Sequence, residues 1–507
     1  MARLARAGRV IARHEGIIPP AQLAEAPLPV RLAIRIGGLG ARPRQTTAEL
    51  PPLSAALAEL GPSWIKLGQF LATRPDIVGM KRALELSHLQ DRLPPFPTEV
   101  ARAEVERELG RPLDELFSEF GEPVAAASIA QVHRARTRDG RDVAVKVLRP
   151  GVERRFARDL ADFMFAARLI ERFHPPARRL KPVEVVRTLE RSVRNEMDLR
   201  MEAAALAEMA ENTKDDPGFR LPKVDWTRTS RRVLTTEWID GTPLSDLQEL
   251  RRQGHDLEQL ADVVVQSFLR QTLRDGFFHA DMHQGNLFVD AGGNLVAVDL
   301  GITGRLSPFE RRVWAEILYC FITRDYHRNA EVHFEAGYVP PHHSLEEFAQ
   351  ALRAIGEPVL GRPAEEVSMG QLLGQLFRTT EKFDMQTQPQ LLMMQKTMVV
   401  VEGVARTLNP RLDLWRTAEP VVREWIEKNL GPAGRMGEAA RGAADMGRSL
   451  ARLPRLLEGA AEASRALADM ARAQERAASR NDAWKQSLPL WLAAGALIAL
   501  ALGFWLR

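Results

Sequence analysis

Asp281, Asn286 and Asp299 are the residues in this chain whose types and spacing best suit chemistry. They stand in His279-Ala280-Asp281-Met282-His283-Gln284-Gly285-Asn286 and in Val298-Asp299-Leu300-Gly301. An acid, an amide and a second acid offer hard oxygen ligands for magnesium bound to a nucleotide. Phosphoryl transfer is mostly positioning and charge neutralisation, so such ligands must converge on metal held by the phosphates. Between them run Leu287-Phe288-Val289, Asp290-Ala291-Gly292-Gly293-Asn294 and Leu295-Val296-Ala297-Val298, which read as strand, glycine-rich hairpin turn and strand. The hairpin predicts that Asn286 and Asp299 sit at neighbouring strand ends. A bare Asp-Leu-Gly is common and would carry nothing alone.

The elements that must position this set lie upstream. Asp142-Val143-Ala144-Val145-Lys146-Val147-Leu148 alternates like a strand. A lysine among valines is costly to bury without a charged partner. Glu202, in the helix-prone Met197-Asp198-Leu199-Arg200-Met201-Glu202-Ala203-Ala204, is the expected partner. Glu196 is six residues away, roughly 1.7 turns, and is expected on a different face of the same helix. The stretch Val124 to His133 contains no glycine, and none occurs between Glu122 and Asp139. Alanine cannot take the positive-φ conformations that let backbone wrap closely over phosphates.

Asp281 and Asn286 have the spacing of the protein-kinase catalytic loop H-R-D-L-x-x-x-N, and Val143 to Lys146 is similar to the kinase V-A-I-K. Glu196-Met197-Asp198, the alanine-rich loop, the H-x-D-x-H-x-x-N, the D-L-G and Lys66-Leu67-Gly68-Gln69 complete the set. Over about residues 50 to 310 the chain resembles the UbiB/ADCK family of atypical kinases; 310 to 430 fit in general character. The resemblance implies an α+β, atypical protein-kinase-like two-lobe fold with a helical N-terminal extension, and ATP and Mg2+ as cofactors. It implies that Asp281, Lys146 and Glu202 are catalytic and that Asn286 and Asp299 hold metal. Ala125, Ala126, Ala127 and Ser128 would line the nucleotide with Lys146. The backbone at Glu237 and Ile239, where a strand runs into Asp240-Gly241, would meet adenine. In that family the K-x-G-Q segment folds across the cleft, so Lys66 and Gln69 are expected near Glu196 and Asp198.

The family is implicated in ubiquinone biosynthesis. The implied partners are membrane lipid, quinone precursors and other proteins of that biosynthesis. An ATPase or small-molecule kinase is the leading function. Alternatives are a direct or indirect part in polyprenylphenol hydroxylation, or a nucleotide-switched scaffold or chaperone. No flavin fingerprint or cysteine framework is present to support a redox cofactor. Ala280 stands where a kinase has the arginine that meets an activation-loop phosphate. Ala-Pro-Glu occurs nowhere, and Pro308 follows Gly301 by seven residues. The last features argue against protein substrates.

Composition bounds the rest. The chain has 507 residues, 45% of them hydrophobic, a net charge of +4 and one cysteine, Cys320. The single cysteine excludes a disulfide framework and points to a reducing compartment. The charge is too mild, and too little interleaved with aromatics, for nucleic acid. Leu488 to Leu506 carry no charge and would span roughly 29 Å as a helix, with Trp484, Trp491 and Trp505 near the ends. A transmembrane helix is expected there, and its Gly495, Ala499 and Gly503 could pair two copies into a homodimer. Arg472, Arg476, Arg480 and Lys485 favour a cytoplasmic main body. The expected location is a bacterial inner membrane, with a mitochondrial inner membrane the less favoured alternative. Arg3, Arg6, Arg9 and Arg13 fit a membrane-surface helix or, in a mitochondrial protein, a targeting segment. The expected organisation is a helical extension at 1–120, a small lobe at 121–241, a large lobe at 242–430, a juxtamembrane helix at 431–486 and the span at 487–507.

Overall fold

The computed structural model describes residues 6–10, 14 and 51–431, apart from 73–74, parts of 80–93 and 174–180, and parts of 359–388. Contacts divide the chain into two units, 1–426 and 427–507; of the second, residues 427–431 are described. The expected span and its basic approach therefore lie outside the described residues, as do Arg3 and Arg13. Arg6 and Arg9 are exposed on a short helix whose Ala7 and Val10 are buried. Among the described residues no helix is long and apolar enough to cross a membrane.

Two helices, α1 (Pro52–Leu60) and α2 (Pro62–Ala72), open the described core and turn at Gly61, whose φ is +102°. Helix α3 (Thr98–Leu109) follows. The small lobe is an antiparallel sheet of β1 (Phe117–Ala126), β2 (Ala130–Thr137), β3 (Asp142–Leu148) and β5 (Val233–Glu237), in that spatial order. Alternation along β3 sends Val143, Val145 and Val147 into a core shared with Ala101 and Val105 of α3. Lys146, of opposite parity, is left for the other face. The sheet thus begins at Phe117, ahead of the expected 121, and α3 is part of its core. Gln131 fastens the segment before α3: its amide accepts from the Phe96 N–H at 2.9 Å and donates to the Phe96 carbonyl at 3.1 Å.

Next come α4 (Val152–Phe173), α5 (Pro182–Glu196) and α6 (Leu199–Asn212). The continuous helix expected through Glu196 and Glu202 does not exist. Asp198 interrupts it as the N-cap of α6, its carboxylate accepting the Arg200 N–H at 3.2 Å. Aspartate competes with helical backbone for hydrogen bonds and so favours caps over interiors. Glu196 consequently ends one helix and Glu202 lies in the first turn of the next.

The large lobe holds β4 (Phe219–Arg220), β6 (Gly241–Pro243), β8 (Leu287–Asp290) and β9 (Leu295–Ala297), ordered β4-β9-β8-β6. Strands β7 (Phe277–His279) and β10 (Thr303–Arg305) form a separate pair. The expected hairpin is present, with Phe288 opposite Val296 and Leu287 opposite Ala297. Asp290 closes its turn by accepting the N–H groups of Gly292 and Asn294 at 3.0 and 2.9 Å. Helices α7 (Leu247–Arg252) and α8 (Leu257–Leu269) precede β7; α8 runs into a π-helical turn, Arg270–Asp275. After β10 come α9 (Pro308–Ile322), α10 (Tyr326–Glu335), α11 (Leu345–Gly356), α12 (Pro389–Leu408) and α13 (Leu414–Leu430). Helix α12 packs along α8.

Gly241 faces Asp290 where β6 meets β8, and a Cβ there would come within 2.7 Å of the Val289 carbonyl oxygen. Backbone cannot give as a side-chain end can. Gly241→Ala is therefore expected to destabilise the chain by about 1–3 kcal/mol, read from the urea midpoint. An unchanged midpoint would show that the two strands do not approach this closely.

Candidate nucleotide and magnesium site

Lys146 reaches out of β3 on the face opposite its valines and meets two acids. Its Nζ lies 2.8 and 2.9 Å from the Glu202 carboxylate oxygens and 2.9 Å from Asp299 Oδ2. Glu202 is 7% exposed, whereas Asp299 keeps 41% of its side chain open. Burial alone would lower the lysine pKa; the charges of Asp299 and Glu202 outweigh it and hold the ammonium above its ordinary range. Glu202 is raised as well, for a different reason. Burial lifts its carboxyl to about 7 despite Lys146, and Asp299 and Glu196 add repulsion. Asp299 stays well below the usual carboxylate range: desolvation opposes its ionisation, but Lys146 and the Gly301 N–H at 2.8 Å win. The ammonium therefore sits between one firmly ionised oxygen donor and one buried acid that holds its proton more tightly. Glu208 and Arg305, an exposed pair at 2.6 and 2.8 Å, link α6 to β10.

The opposite wall is the segment from His279 to Asn286. Val298 donates its N–H to the Asn286 carbonyl at 3.0 Å, so the hairpin brings Asn286 level with the residue next to Asp299. Asn286 donates its amide to the Asp281 carbonyl at 3.2 Å, which leaves its side-chain oxygen for a ligand. Asp281 keeps 32% of its side chain open. A carboxylate oxygen on the lysine, a spare amide oxygen at the neighbouring strand end and a part-exposed carboxylate are the kind of groups that magnesium and phosphate take. In the alanine-rich turn Ala125 is exposed, Ala126 and Ala127 are half-buried, and no residue there takes a positive φ. The Ser128 hydroxyl is buried and lacks a hydrogen-bond partner. At the expected hinge, the Glu237 and Trp238 N–H groups bind Lys223 and Asp142 carbonyls at 2.8 and 3.1 Å. The Glu237 side chain pairs with Arg220 at 3.1 Å. Ile239 is in none of the described hydrogen bonds, so of the two it is the one with backbone to offer.

Helix α2 delivers Lys66 to the site's edge. Trp64 packs edge-on against Phe163 of α4 at 4.8 Å, and Lys66 Nζ reaches Glu196 at 2.7 Å with both side chains nearly buried. A Cβ on Gly68 would lie 2.3 Å from Leu89 and 2.7 Å from Leu57, so the glycine of this motif lets α2 close on its own neighbours. The other two expected members of this contact are placed elsewhere. Gln69 points its amide at the Leu89 carbonyl, 3.4 Å away. Asp198 pairs with the Arg200 guanidinium at 2.7 and 2.9 Å, because a cap must face its own helix.

Two positioning residues, Gln271 and Thr397, have no local sequence signal, and a third, His279, is the first residue of the H-x-D motif. Gln271, in the π-turn, accepts the His279 N–H at 3.0 Å, and π-turns of this kind often mark functional sites. His279 is fully buried and its Nδ1 accepts the Asp281 N–H at 3.3 Å. Burial lowers its pKa against the pull of Asp281 and Asp299, which favours the neutral ring. Thr397 of α12 places its hydroxyl 3.1 Å from the Ala280 carbonyl. A threonine 117 residues away in sequence cannot be recognised without the fold.

Residues 88–333 match the ABC1 atypical kinase-like domain and 352–413 match the UbiB helical domain. A probable protein kinase UbiB of Marinobacter nauticus is 42% identical over 81% of this chain and 76% of its own. That of Aliivibrio fischeri is 40% identical over 80% and 76%. This chain belongs to the UbiB family. Its fold is the kinase-like α+β fold expected from the sequence. A Mycobacterium tuberculosis protein solved with erythromycin shares 24% identity, with a TM-score of 0.49, over 72% of this chain and 93% of that one.

Asp299→Asn is expected to abolish the thermal stabilisation by Mg2+ and ATP, worth ~2.7 kcal/mol at a hundred times the dissociation constant, while the fold persists. Unchanged stabilisation would remove Asp299 from the metal. Glu202 gives a pH signature. Its folded pKa, raised from 4.5 to about 7, means that the folded state binds the extra proton, so this residue's stabilisation is complete below pH 4.5 and lost as pH rises through 7. The stability of wild type relative to Glu202→Gln should fall across that window in urea titrations. A pH-independent difference would place the proton elsewhere.

Proposed function

We propose that this UbiB-family chain is an ATP-binding atypical kinase or ATPase that supports ubiquinone biosynthesis at a membrane. Its acceptor would be a polyprenylphenol-type lipid rather than a protein. The contact of Lys66 with Glu196 carries this reading, because it places the chain's own helix beside the lysine that would meet the phosphates. Only six residues, 302–307, separate Gly301 from α9, too few for a platform that would hold a peptide. Bound Mg2+ and ATP would supply the phosphoryl group and offset its charge. Asn286 and Asp299 would hold the metal, and Lys146 and the 125–128 turn the phosphates. Asp281, the open carboxylate, would take the proton from an acceptor hydroxyl or water. Glu202 would keep Lys146 aimed, and Ile239 would meet the base. Membrane lipid, quinone precursors and other proteins of the biosynthesis are the proposed partners, with the 487–507 segment as anchor.

The test is ATP turnover by purified, detergent-solubilised full chain, with and without a phenolic quinone precursor, alongside phosphate incorporation into generic proteins. A few-fold change in turnover with the phenol, ~1 kcal/mol in the barrier, and no protein phosphorylation are expected. Stoichiometric phosphorylation of an exogenous protein would overturn the reading. So would turnover indifferent to every phenol and lipid tried.

A further inference from the structure

Away from the nucleotide cleft, three side chains of metal-ligating type converge. His342 and His343 lie in the turn before α11, closed by the His343 N–H donating to the Pro340 carbonyl at 3.2 Å. Asp384 lies in the turn that precedes α12. A single oxygen, Asp384 Oδ2, sits 3.3 Å from His343 Nε2 and 3.8 Å from His342 Nε2. One ligand atom from each residue falls within 4.8 Å of the others, and the imidazoles lie 4.2 Å apart between centroids.

The backing of this cluster is aromatic and buried. Phe383, 1% exposed, packs against Phe348 at 4.9 Å and against the His343 ring at 5.4 Å. Asp384 holds a φ of +46° at the end of a helical turn, where the Met385 N–H returns to the Thr380 carbonyl at 2.9 Å. This is the left-handed position that helices usually give to glycine. An aspartate kept there accepts backbone strain and gains a carboxylate aimed at two imidazoles. His343 is 18% exposed, whereas His342 and Asp384 are open enough for an ion to enter.

We propose that His342, His343 and Asp384 form a transition-metal site that takes Zn2+. Two imidazoles with one carboxylate suit zinc far better than magnesium or calcium, which prefer oxygen alone. Three protein ligands leave the fourth tetrahedral position to water. The site is distinct from the oxygen set of Asn286 and Asp299, and its histidine pair lies between the two family-matched regions, 88–333 and 352–413. The ion would join the turn before α11 to the one before α12, the helix whose Thr397 reaches the Ala280 carbonyl.

The test uses tag-free, full-length protein in detergent, titrated with Zn2+ against a chromophoric competitor and with Co2+ by its ligand-field absorption. The expected result is one tight Zn2+ per chain, undisturbed by millimolar Mg2+, and binding at least about tenfold weaker in His342→Gln and in Asp384→Gly. Asp384→Gly also separates metal binding from folding. Glycine suits the left-handed backbone, so this variant should melt no lower than wild type without metal, yet lose the zinc-dependent rise in melting temperature. Equal zinc affinity in wild type and both variants would overturn the site. Absence of tight binding to the wild type would do the same.

Discussion

One ammonium group must satisfy two carboxylates, and the site is arranged around that requirement. Lys146 comes from β3, Glu202 from α6 and Asp299 from the stretch after β9, and their oxygens lie within 2.9 Å of the same nitrogen. A buried lysine is tolerated only with such partners, and removing one leaves an uncompensated charge. The pairing therefore fixes three separate elements against one another. The valines of β3 leave Lys146 on the opposite face by parity, where Glu202 of α6 meets it. Burial, helped by repulsion from Asp299, raises the Glu202 carboxyl to about 7 against the pull of Lys146, so this acid holds its proton more tightly than Asp299 does. Asp299, more open than Glu202, is the one of the two acids that would be placed to hold a metal as well as Lys146.

A second lysine–glutamate pair lies alongside the first. Glu196, which adds repulsion at Glu202, is itself bound by Lys66 from α2 at 2.7 Å. The break at Asp198 makes this possible, since it lets Glu196 finish one helix and Glu202 begin another. Trp64 against Phe163 and the missing side chain at Gly68 hold α2 in place. The N-terminal helices are thus electrostatically connected to the cleft. Their α3 neighbour is equally built into the small lobe, through Ala101 and Val105 against the valines of β3.

The segment from His279 to Asn286 is likewise held from outside its own neighbourhood. Gln271 in the π-turn takes the His279 N–H, and Thr397 of α12 approaches the Ala280 carbonyl. The second of these lies in the UbiB helical domain, so that region braces the kinase-like centre through a direct contact.

Sequence alone was enough for what depends on local pattern. The alternation of β3, the hairpin between Asn286 and Asp299 and the pairing of Lys146 with Glu202 are all legible, because strand parity and turn chemistry act over a few residues and a buried charge demands a partner. The order of motifs also revealed the family. What needed the tertiary structure was anything settled by competition between distant or alternative partners. Asp198 had to choose between capping α6 and joining Lys66, and its own helix, two residues away, won. Gln69 turned toward Leu89, which no spacing rule connects to it. The membership of α3 in the small lobe, the hold of Thr397 on Ala280 and the meeting of His342 and His343 with Asp384 depend on chain segments brought together only by folding. Their physical basis is packing and hydrogen-bond satisfaction across the whole core, and a linear pattern carries no record of that.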